Sequence, residues 1–514
     1  MALALCAGLS ACASTAQQAD GAAGTLAGGA SSDGLSVTEP AGGVDGAVAP
    51  DGTAVGAGSI GGTGGAAGTG GVPGTAGGAG SPGVAEGSGY SGAAAPGAAS
   101  SANKPVKLGI TYPDTAAIAT AFGEESHDAA GFLTKIIDYI NKTGGIAGHK
   151  IEPVYHKFGV QEDMNSAGQA ACTAFTQDKK VDFVYNGGIS GETFPACLAK
   201  AGVSMIDSPG ALDSVGERRI RNRFAPSSMR LDREMLGILN IFAKAGRIKS
   251  GDTLGVLVED CDWGNRIFTS LIEPRAKQLG LKVVKGTFRC VQNLVSDLGP
   301  VTNDVQRETL RFGAEGVNRV LFVTGGQAFI LSRFTETASQ QKYYPKYFVG
   351  SSAYPYNNTR KGAIVKIAED ARPNIVGAGT VPLLDVGVDA KPANAQQLAA
   401  QQRCKKADPD EGLTAGESDP EQKPFNRSTF LGVCDGFYAL KALLEADGVQ
   451  YSLASVTSGY HTALSGKRTA SANLSGGFFG AAPARLDGVG ALRPFAWDAA
   501  RNTFKYIDDA ITVP

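Results

Sequence analysis

The 514-residue chain has few histidines, no long apolar run and almost no net charge. Its four histidines, His127, His149, His156 and His461, are widely spaced, which argues against a metal centre built from them. No stretch reaches the roughly 18 consecutive apolar residues of a membrane-spanning helix, so a multi-pass transporter is excluded. The net charge of −2 argues against a nucleic-acid-binding protein, because such a protein needs a basic surface to meet phosphates.

Catalytic and nucleotide-binding motifs are also missing. Gly188-Ile-Ser-Gly191 lacks the spacing of a GxSxG nucleophile elbow, and Gly144–Lys150 has neither the interval of a P-loop nor a hydroxyl residue after its lysine. The pairs Glu124-Glu125 and Asp508-Asp509 are typical of solvated helix or loop ends rather than of a general acid/base couple. We therefore expect a protein that is not an enzyme and that needs no cofactor or metal.

Residues 13–103 have no lysine or arginine and hold 27 of the 71 glycines. Segments such as Gly61-Gly-Thr-Gly-Gly65 contain no side chain large enough to bury, so burial cannot offset the entropy lost on ordering the backbone. The composition predicts a disordered Gly/Ala-rich tether. A flexible coil of this length has a root-mean-square span of roughly 50 Å.

Residues 1–12 are typical of the end of a secretory signal peptide, because an apolar run ends in small residues. Leu9-Ser10-Ala11-Cys12 resembles the bacterial lipoprotein processing box, in which the signal is cut before a cysteine that then receives lipid. A basic segment normally precedes this run, so we expect the start codon to lie upstream. The motif predicts a lipid anchor at Cys12 that holds the protein on the outer face of the cell membrane. The alternative is a secreted protein with a chance cysteine.

Six further cysteines lie in the part of the chain predicted to fold. Six cysteines allow 15 pairings, and the sequence alone does not choose among them. Zinc binding is the competing interpretation, but no CxxC or CxxH pair is present. Disulfides are therefore expected, each contributing about 3 kcal/mol by the loop-entropy estimate. The cysteines are clustered in twos, which suggests the pairs Cys172–Cys197, Cys261–Cys290 and Cys404–Cys434.

Strand and helix patterns alternate from Lys104 onward. In the predicted helix after the first strand, Leu133, Ile136, Ile137 and Ile140 fall on one face. The order βαβα predicts a mostly parallel sheet covered by helices, and the pattern starts again near residue 231. The sequence therefore predicts an α/β fold of two lobes with ligand-binding loops facing a cleft between them. Predicted strands are 106–111, 149–155, 181–185, 203–206, 253–258, 282–288, 319–323 and 347–350.

Several stretches, in the expected order, resemble type I periplasmic solute-binding proteins, the group that includes the branched-chain amino acid binding proteins of ABC transporters. The resemblance covers roughly 104–510 and implies two Rossmann-like lobes that close on ligand about a hinge of three crossovers, near 226–231, 376–383 and 452–462. It implies a first lobe of 104–228 plus 380–455 and a second lobe of 229–379 plus 456–514. The matching stretches are Ile140–Ile151, Asn186–Gly191, Ser208–Ala211, Asp260–Gly264 and Cys434–Leu440.

The resemblance also implies ligand-binding residues. Ser190, with Thr193 close by, matches the loop that offers a hydroxyl and backbone groups to a ligand carboxylate, although Ser190 is also suited to cap the helix that follows. Ser208 and Gly210 match the loop after the fourth strand. Trp263 matches an aromatic wall from the second lobe, and a place in the core is its alternative.

One departure from the family concerns the carboxylate that grips a ligand ammonium. The loop 351–358, where amino-acid-binding members present it from the second lobe, contains no Asp or Glu. Either Asp114, Asp260 or Asp262 holds the ammonium, or the ligand is not an α-amino acid. Tyr354, with Tyr356 and Asn357, suits an amide, a urea-like solute, an aromatic acid or a sugar-like one, unless these are surface loop residues beside a turn at Pro355.

The resemblance implies a monomeric, lipid-anchored binding protein that captures a small polar solute, an amino acid, amide or related molecule. It would hand this solute to the membrane permease of an ABC transporter. A second hypothesis is an extracellular sensor or adhesion-type domain with no transporter, and a third is an extracellular hydrolase. The sequence does not name the solute.

Overall fold

The computed structural model describes residues 104–114, 129–159, 162–207, 210, 212–360, 365–387, 391–410, 424–482 and 485–514. The predicted signal remnant, the lipidation site at Cys12 and the predicted tether 13–103 lie outside the described residues. In the described part, no helix has the length and apolar character needed to cross a membrane.

Helices and strands alternate as the sequence predicts. Helix α1 shows the reason locally, because its buried side chains Leu133, Ile136, Ile137 and Ile140 recur at helical spacing and Gly145, with a φ of 70°, ends the helix. The helices are α1 (Ala129–Lys142), α2 (Met164–Thr173), α3 (Thr193–Lys200), α4 (Ser214–Arg219), α5 (Leu231–Lys244), α6 (Asp262–Ile267), α7 (Glu273–Gln278), α8 (Leu294–Ala314), α9 (Gln327–Gln340), α10 (Pro382–Asp385), α11 (Ala395–Ala407), α12 (Pro424–Asp447) and α13 (Leu453–Leu464).

The strands form two sheets. The first sheet is parallel, in the order β2-β1-β3-β4-β5, and the second has the order β12-β11-β10-β9-β8-β6-β7 with β13 paired to β11. The first sheet contains β1 (Val106–Pro113), β2 (Ile151–Phe158), β3 (Phe183–Asn186), β4 (Met205–Asp207) and β5 (Arg223–Phe224). The second contains β6 (Thr253–Asp260), β7 (Lys282–Arg289), β8 (Arg319–Val323), β9 (Lys346–Val349), β10 (Ile375–Gly379), β11 (Ala491–Asp498), β12 (Thr503–Tyr506) and β13 (Ile511–Thr512).

Both sheets repeat one topology. In the first sheet, β1 lies between β2 and β3, and in the second sheet, β6 lies between β7 and β8. The strand order therefore reverses between β1 and β3 and again between β6 and β8. The predicted two-lobed α/β fold is confirmed, and we call these units the first and second lobe. The strand predicted at 149–155 is found two residues later, because His149 and Lys150 complete the turn that follows α1.

The suggested cysteine pairing is confirmed. Disulfides join Cys172 to Cys197 between α2 and α3, and Cys404 to Cys434 between α11 and α12. The third joins Cys261 to Cys290, one residue beyond the last paired residues of β6 and β7. Each bridge therefore ties two neighbouring elements within one lobe.

The motif at Cys434–Leu440 joins the C-terminal helices to the first sheet. Phe437 stacks on Tyr185 of β3 with ring centroids 4.7 Å apart, and a side chain at Gly436 would overlap the Tyr185 ring. Asp435 is buried and accepts hydrogen bonds from Ser471 and from the backbone of Ala472 and its neighbour. The motif thus provides a covalent link, an aromatic contact and a polar clamp within seven residues.

Two segments run side by side between the lobes. The amide of Ala225 donates to the carbonyl of Leu486 over 2.7 Å, and the amide of Gly488 donates to the carbonyl of Ala225 over 2.9 Å. Asp487 is buried there, and it accepts from the amide of Arg230 over 3.0 Å and from the guanidinium of Arg233. We propose that these paired segments are two of the hinge crossovers.

Helix α13 packs with the first lobe. The ring of Tyr460 lies 5.1 Å from that of Phe224, and its hydroxyl donates to the carbonyl of Leu486 over 2.9 Å. We therefore propose that the first lobe includes α13 and that the third crossover lies near 486–491 rather than at 452–462.

Two acidic side chains lie close together in the second lobe. Asp385 ends α10 without exposure to solvent and accepts from the hydroxyl of Tyr506 over 3.1 Å; burial raises the pKa of Asp385 to about 7. Burial and the negative charge of Asp385 raise the pKa of Glu234, on α5, to about 8. Since both carboxyls bind protons more tightly in the folded state, their contribution to stability is complete below about pH 4 and is lost as the pH rises through 7 and 8.

We predict that the free energy of unfolding falls between pH 5 and pH 8, and that Asp385→Asn reduces this fall because the amide does not ionise. Urea unfolding at the two pH values measures the effect. The matched control is Asp509→Asn at an exposed position, which keeps the wild-type dependence. An Asp385→Asn variant with the wild-type pH dependence would contradict the prediction.

Candidate functional site

A cavity of ≈ 210 Å³ is lined by residues of both lobes. From the first lobe it takes the loops after β3 and β4, and from the second lobe the loops after β6, β7 and β8. These loops include the points where the strand order of each sheet reverses, which is where open parallel sheets bind ligands. The predicted position of the ligand-binding loops, at the carboxyl ends of the strands, agrees with the position of the cavity.

A buried asparagine shapes the first-lobe wall. Asn186, the last residue of β3, accepts hydrogen bonds from the amides of Gly188 and Ile189 over 3.1 and 3.0 Å, which folds the loop that carries Ser190. Its side chain also accepts from the Thr111 hydroxyl over 2.7 Å and donates to Asp207 over 2.8 Å. The ends of β1, β3 and β4 are therefore joined by side-chain hydrogen bonds.

This polar chain continues to the edge of the sheet. Asp207 pairs with Arg223 of β5, and both side chains are buried. Sequence reasoning missed all four members of the chain. A signal was present, because Thr111, Asn186 and Asp207 are polar residues at or near the ends of apolar strands.

The loop after β3 presents Ser190 and Gly191 to the cavity. Helix α3 begins at Thr193 with Glu192 as its N-cap residue and without a side-chain cap bond, so Ser190 does not cap this helix. Thr193 does not line the cavity, but its hydroxyl donates to Asn165 over 2.6 Å, and Asn165 does line it. Thr193 therefore supports Asn165 of the cavity wall without lining the cavity itself.

The loop after β4 is only partly described. Gly210 is buried, lines the cavity and has a φ of 66°, and a side chain there would overlap Ala225. A glycine is therefore required by both backbone and space. The predicted ligand residue Ser208 lies outside the described residues.

Glu259 organises the second-lobe wall. This buried residue near the end of β6 accepts from the Thr324 hydroxyl over 2.9 Å and from the Val291 amide over 3.2 Å, and the backbone of Gly325 also bonds its carboxylate. Burial raises the pKa of Glu259, and these hydrogen bonds oppose that rise. The loops after β6, β7 and β8 therefore meet at one carboxylate.

The Cys261–Cys290 disulfide is part of the same wall. Together with Glu259, its sulfur atoms form a group compact enough to hold a metal ion. Because the two sulfurs are bonded to each other, they do not offer thiolates, and a metal does not fit here. The bridge instead fixes the distance between the start of α6, the helix that carries Trp263, and the loop that leads to α8.

The remainder of the second-lobe wall is mostly apolar. Trp263, the second residue of α6, lines the cavity and also packs against the large hydrophobic core. The other apolar side chains of this wall come from β7 and its loop, from α8 and from α9: Phe288, Val291, Leu298, Val301, Phe329 and Ile330.

One ion pair crosses between the lobes beside the cavity. Asp213, the buried N-cap residue of α4, accepts from the Gly216 amide over 2.7 Å, and its second oxygen accepts from Nε of Arg266 on α6 over 2.7 Å. Asp213 belongs to the first lobe and Arg266 to the second. Their contact therefore requires the two lobes to be close together.

The other predicted acidic residues are not among those that line this cavity. Asp114 forms an ion pair of 3.0 Å with Lys157, and Asp260 accepts from Asn265 over 2.7 Å. Asp262 is exposed at the start of α6. A buried carboxylate of the second lobe that does line the cavity is Glu259, directly before Asp260, and its position at a strand end was the available signal.

The loop after β9 is also outside the lining of this cavity. Tyr354 is buried in the core of the second lobe, where its backbone has a φ of 46°; Tyr356 contacts Gly387, and Asn357 donates to Asn358. The backbone turns there immediately after β9, which directs these side chains into the lobe.

No protein-family model and no curated protein matches the chain by sequence. Solved structures do match. A solute-binding protein of an ABC transporter from Rhodopseudomonas palustris BisB5, in complex with 3,4-dihydroxybenzoic acid, is 17% identical, with a TM-score of 0.54 over 80% of this chain and 97% of that one. A branched-chain amino acid ABC transporter protein from Thermus thermophilus with bound valine is 13% identical, with a TM-score of 0.54 over 80% and 97%.

An ABC transporter substrate-binding protein from Desulfitobacterium hafniense, in complex with Leu, is 15% identical, with a TM-score of 0.53 over 79% of this chain and all of that one. At these identities the matches establish the fold alone. The chain has the two-lobed fold of type I periplasmic solute-binding proteins, as the sequence motifs implied.

We predict that Arg266→Gln shifts the lobes toward more open arrangements, because it removes the ion pair between them. The expected change is about 1 kcal/mol, roughly fivefold in the ratio of closed to open molecules. Small-angle X-ray scattering measures it as a larger radius of gyration. Arg311→Gln is the control, since Arg311 pairs with Glu308 and Glu315 inside the second lobe. An unchanged radius for Arg266→Gln would contradict the prediction.

Proposed function

We propose that the protein is the extracytoplasmic solute-binding component of an ABC transporter and captures a small polar solute between its lobes. The observation that carries the proposal is the cavity at the strand-order reversals of both sheets, with Ser190 on one wall and Trp263 on the other. The solved structures of similar fold support it, because their names describe solute-binding proteins.

The first-lobe wall suits the carboxylate of an amino acid or a related solute. Ser190 offers a hydroxyl to the cavity, and the first amides of α3 follow three residues later without acceptors inside the helix. Amides at a helix N-terminus favour a negative charge. We assign the carboxylate to the Ser190 loop, with Gly210 on the neighbouring loop as a further contact.

The second-lobe wall suits the apolar part of the solute. Trp263 and Phe288 present flat surfaces, and burial of apolar area supplies binding energy of roughly 25 cal/mol per Å². Closure would bury the solute between this wall and the Ser190 loop. The Asp213–Arg266 pair would hold the closed arrangement, and the permease would recognise its shape.

We infer that the protein acts outside the cytoplasm as a monomer, anchored by lipid at Cys12 and joined to the anchor by the tether 13–103. A span of roughly 50 Å lets the lobes reach a permease in the same membrane while they sample the surrounding solution. ATP hydrolysis would belong to other subunits.

A thermal-shift panel of amino acids, amides and aromatic acids tests binding. We expect at least one member to raise the melting temperature, because a ligand that binds only the folded state stabilises it by about 2.7 kcal/mol at one hundred times its Kd. The same ligand must be recovered chemically unchanged. A panel without any shift, or the accumulation of a product, would refute the proposed function.

Tryptophan fluorescence tests the assignment of Trp263, because the chain has only two tryptophans. Trp263→Phe should abolish the ligand-induced change in fluorescence, whereas Trp497→Phe, on β11, should retain it. Trp263→Ala should weaken binding by about 2 kcal/mol, roughly thirtyfold, through loss of a central aromatic contact. Wild-type affinity in Trp263→Ala would remove this residue from the site.

A further inference from the structure

Glu259 stands out on the second-lobe wall because its carboxylate is buried and has only uncharged partners among the contacts described. Its hydrogen-bond donors are the Thr324 hydroxyl and the backbone amides of Val291 and Gly325. An ionised carboxylate offers about four acceptor positions, so three donors leave one available to a ligand.

The other charged side chains of the wall already have partners, and among them Asp297 accepts from the amides of Gln292 and Asn293 over 2.8 Å each. Asp213 bonds Arg266, Glu192 bonds Arg219, and Arg223 bonds Asp207. Among the described residues that line the cavity, Arg223 is the only cationic side chain. A solute anion in the second-lobe half would therefore meet carboxylates without a free counter-charge, whereas a cation would be attracted.

The apolar surroundings of Glu259 strengthen this preference. Phe288 is its register partner on β7, and Phe329 lies on the same cavity wall. Charges interact more strongly where aromatic side chains exclude water, and a buried charge without a counter-charge is costly. Burial raises the pKa of Glu259, and an ammonium beside it would offset the cost of ionisation.

We propose that Glu259 is the specificity-determining residue of the cavity and accepts a hydrogen bond from the primary ammonium of an ω-amino carboxylic acid. The carboxylate of this solute would lie at Ser190 on the opposite wall, and its apolar body would lie against Trp263 and Phe288. This inference rests on the proposed function. It places the ammonium at the end of β6, because the loop 351–358 provides no acid.

The competing role for Glu259 is purely structural, since it joins three loops. Glu259→Gln separates the two roles. The glutamine oxygen still accepts from the amides, and the Thr324 hydroxyl can donate or accept, so the wall is retained while the charge is lost. Glu308→Gln is the matched control, because Glu308 is a similarly buried glutamate of the second lobe that does not line the cavity.

Isothermal titration of the full chain with three probes tests the proposal: 4-(aminomethyl)benzoate, 4-(hydroxymethyl)benzoate and 4-methylbenzoate. These share the carboxylate and the ring and differ only at the far end. We expect the wild type and Glu308→Gln to bind the amine at least tenfold more tightly than the methyl compound. Glu259→Gln should bind both with similar affinity.

Four results would overturn the proposal. Equal wild-type affinity for the amine and the methyl compound excludes an ammonium site, and equal affinity for the amine and the alcohol indicates a neutral donor instead. An equal loss of affinity for all probes in Glu259→Gln indicates the structural role. The same comparison with 6-aminohexanoate and hexanoate covers an aliphatic body. If neither series binds while another solute shifts the melting temperature, the proposal fails and the proposed function stands.

Discussion

This structure depends on one constraint: backbone groups at the ends of its parallel strands need hydrogen-bond partners. Where the strand order of a sheet reverses, adjacent loops diverge, and backbone groups lose the partners that the sheet supplied. Such groups must be satisfied by side chains or water. Here Asn186 performs this task in the first lobe and Glu259 in the second, each with a threonine from an adjacent strand or its loop. The residues that stabilise the loops are thus the residues that shape the cavity.

The segments that run side by side between the lobes follow the same principle with charged groups in place of amides. Arg233 and Asp487 are buried there, and Arg230 bonds both Glu217 and Asp232. Buried charges persist only when they are paired, so these contacts restrict the ways in which the two segments can rearrange. The Asp213–Arg266 pair differs, because its arginine is partly exposed and it joins the two lobes beside the cavity. Separation of the lobes there would break this pair and would leave the buried pairs of the side-by-side segments in place.

The fold was predictable from sequence because its determinants are local. The apolar stripe of α1, the alternation of strands and helices and the spacing of the six cysteines each depend on neighbours along the chain. Strands β5 and β10 to β13 were not predicted. Strand β11 reaches the second sheet through long-range antiparallel pairing with β10, after an excursion of the chain through the first lobe, and β12 and β13 then pair with β11. In the site, Ser190, Gly210 and Trp263 were found by resemblance, whereas Glu259 was missed beside Asp260 and Asp262. Three acids within four residues look alike in a sequence. The alternation of side chains along β6 and the start of α6 decide which of them faces the cavity.

The hydrogen bonds at the strand ends explain in physical terms how a fold can be shared without a sequence match. A reversal of strand order requires some buried acceptor and some donor on an adjacent strand, but not a particular pair. Asparagine with threonine satisfies this in one lobe, and glutamate with threonine in the other. The two lobes thus meet the same requirement with different residues, and the choice in the second lobe places a carboxylate on the cavity wall. Because the Ser190 loop lines the other wall, this carboxylate would favour one orientation of a solute with opposite charges at its two ends. In the proposed function, selectivity would follow from how the second lobe satisfies its strand ends.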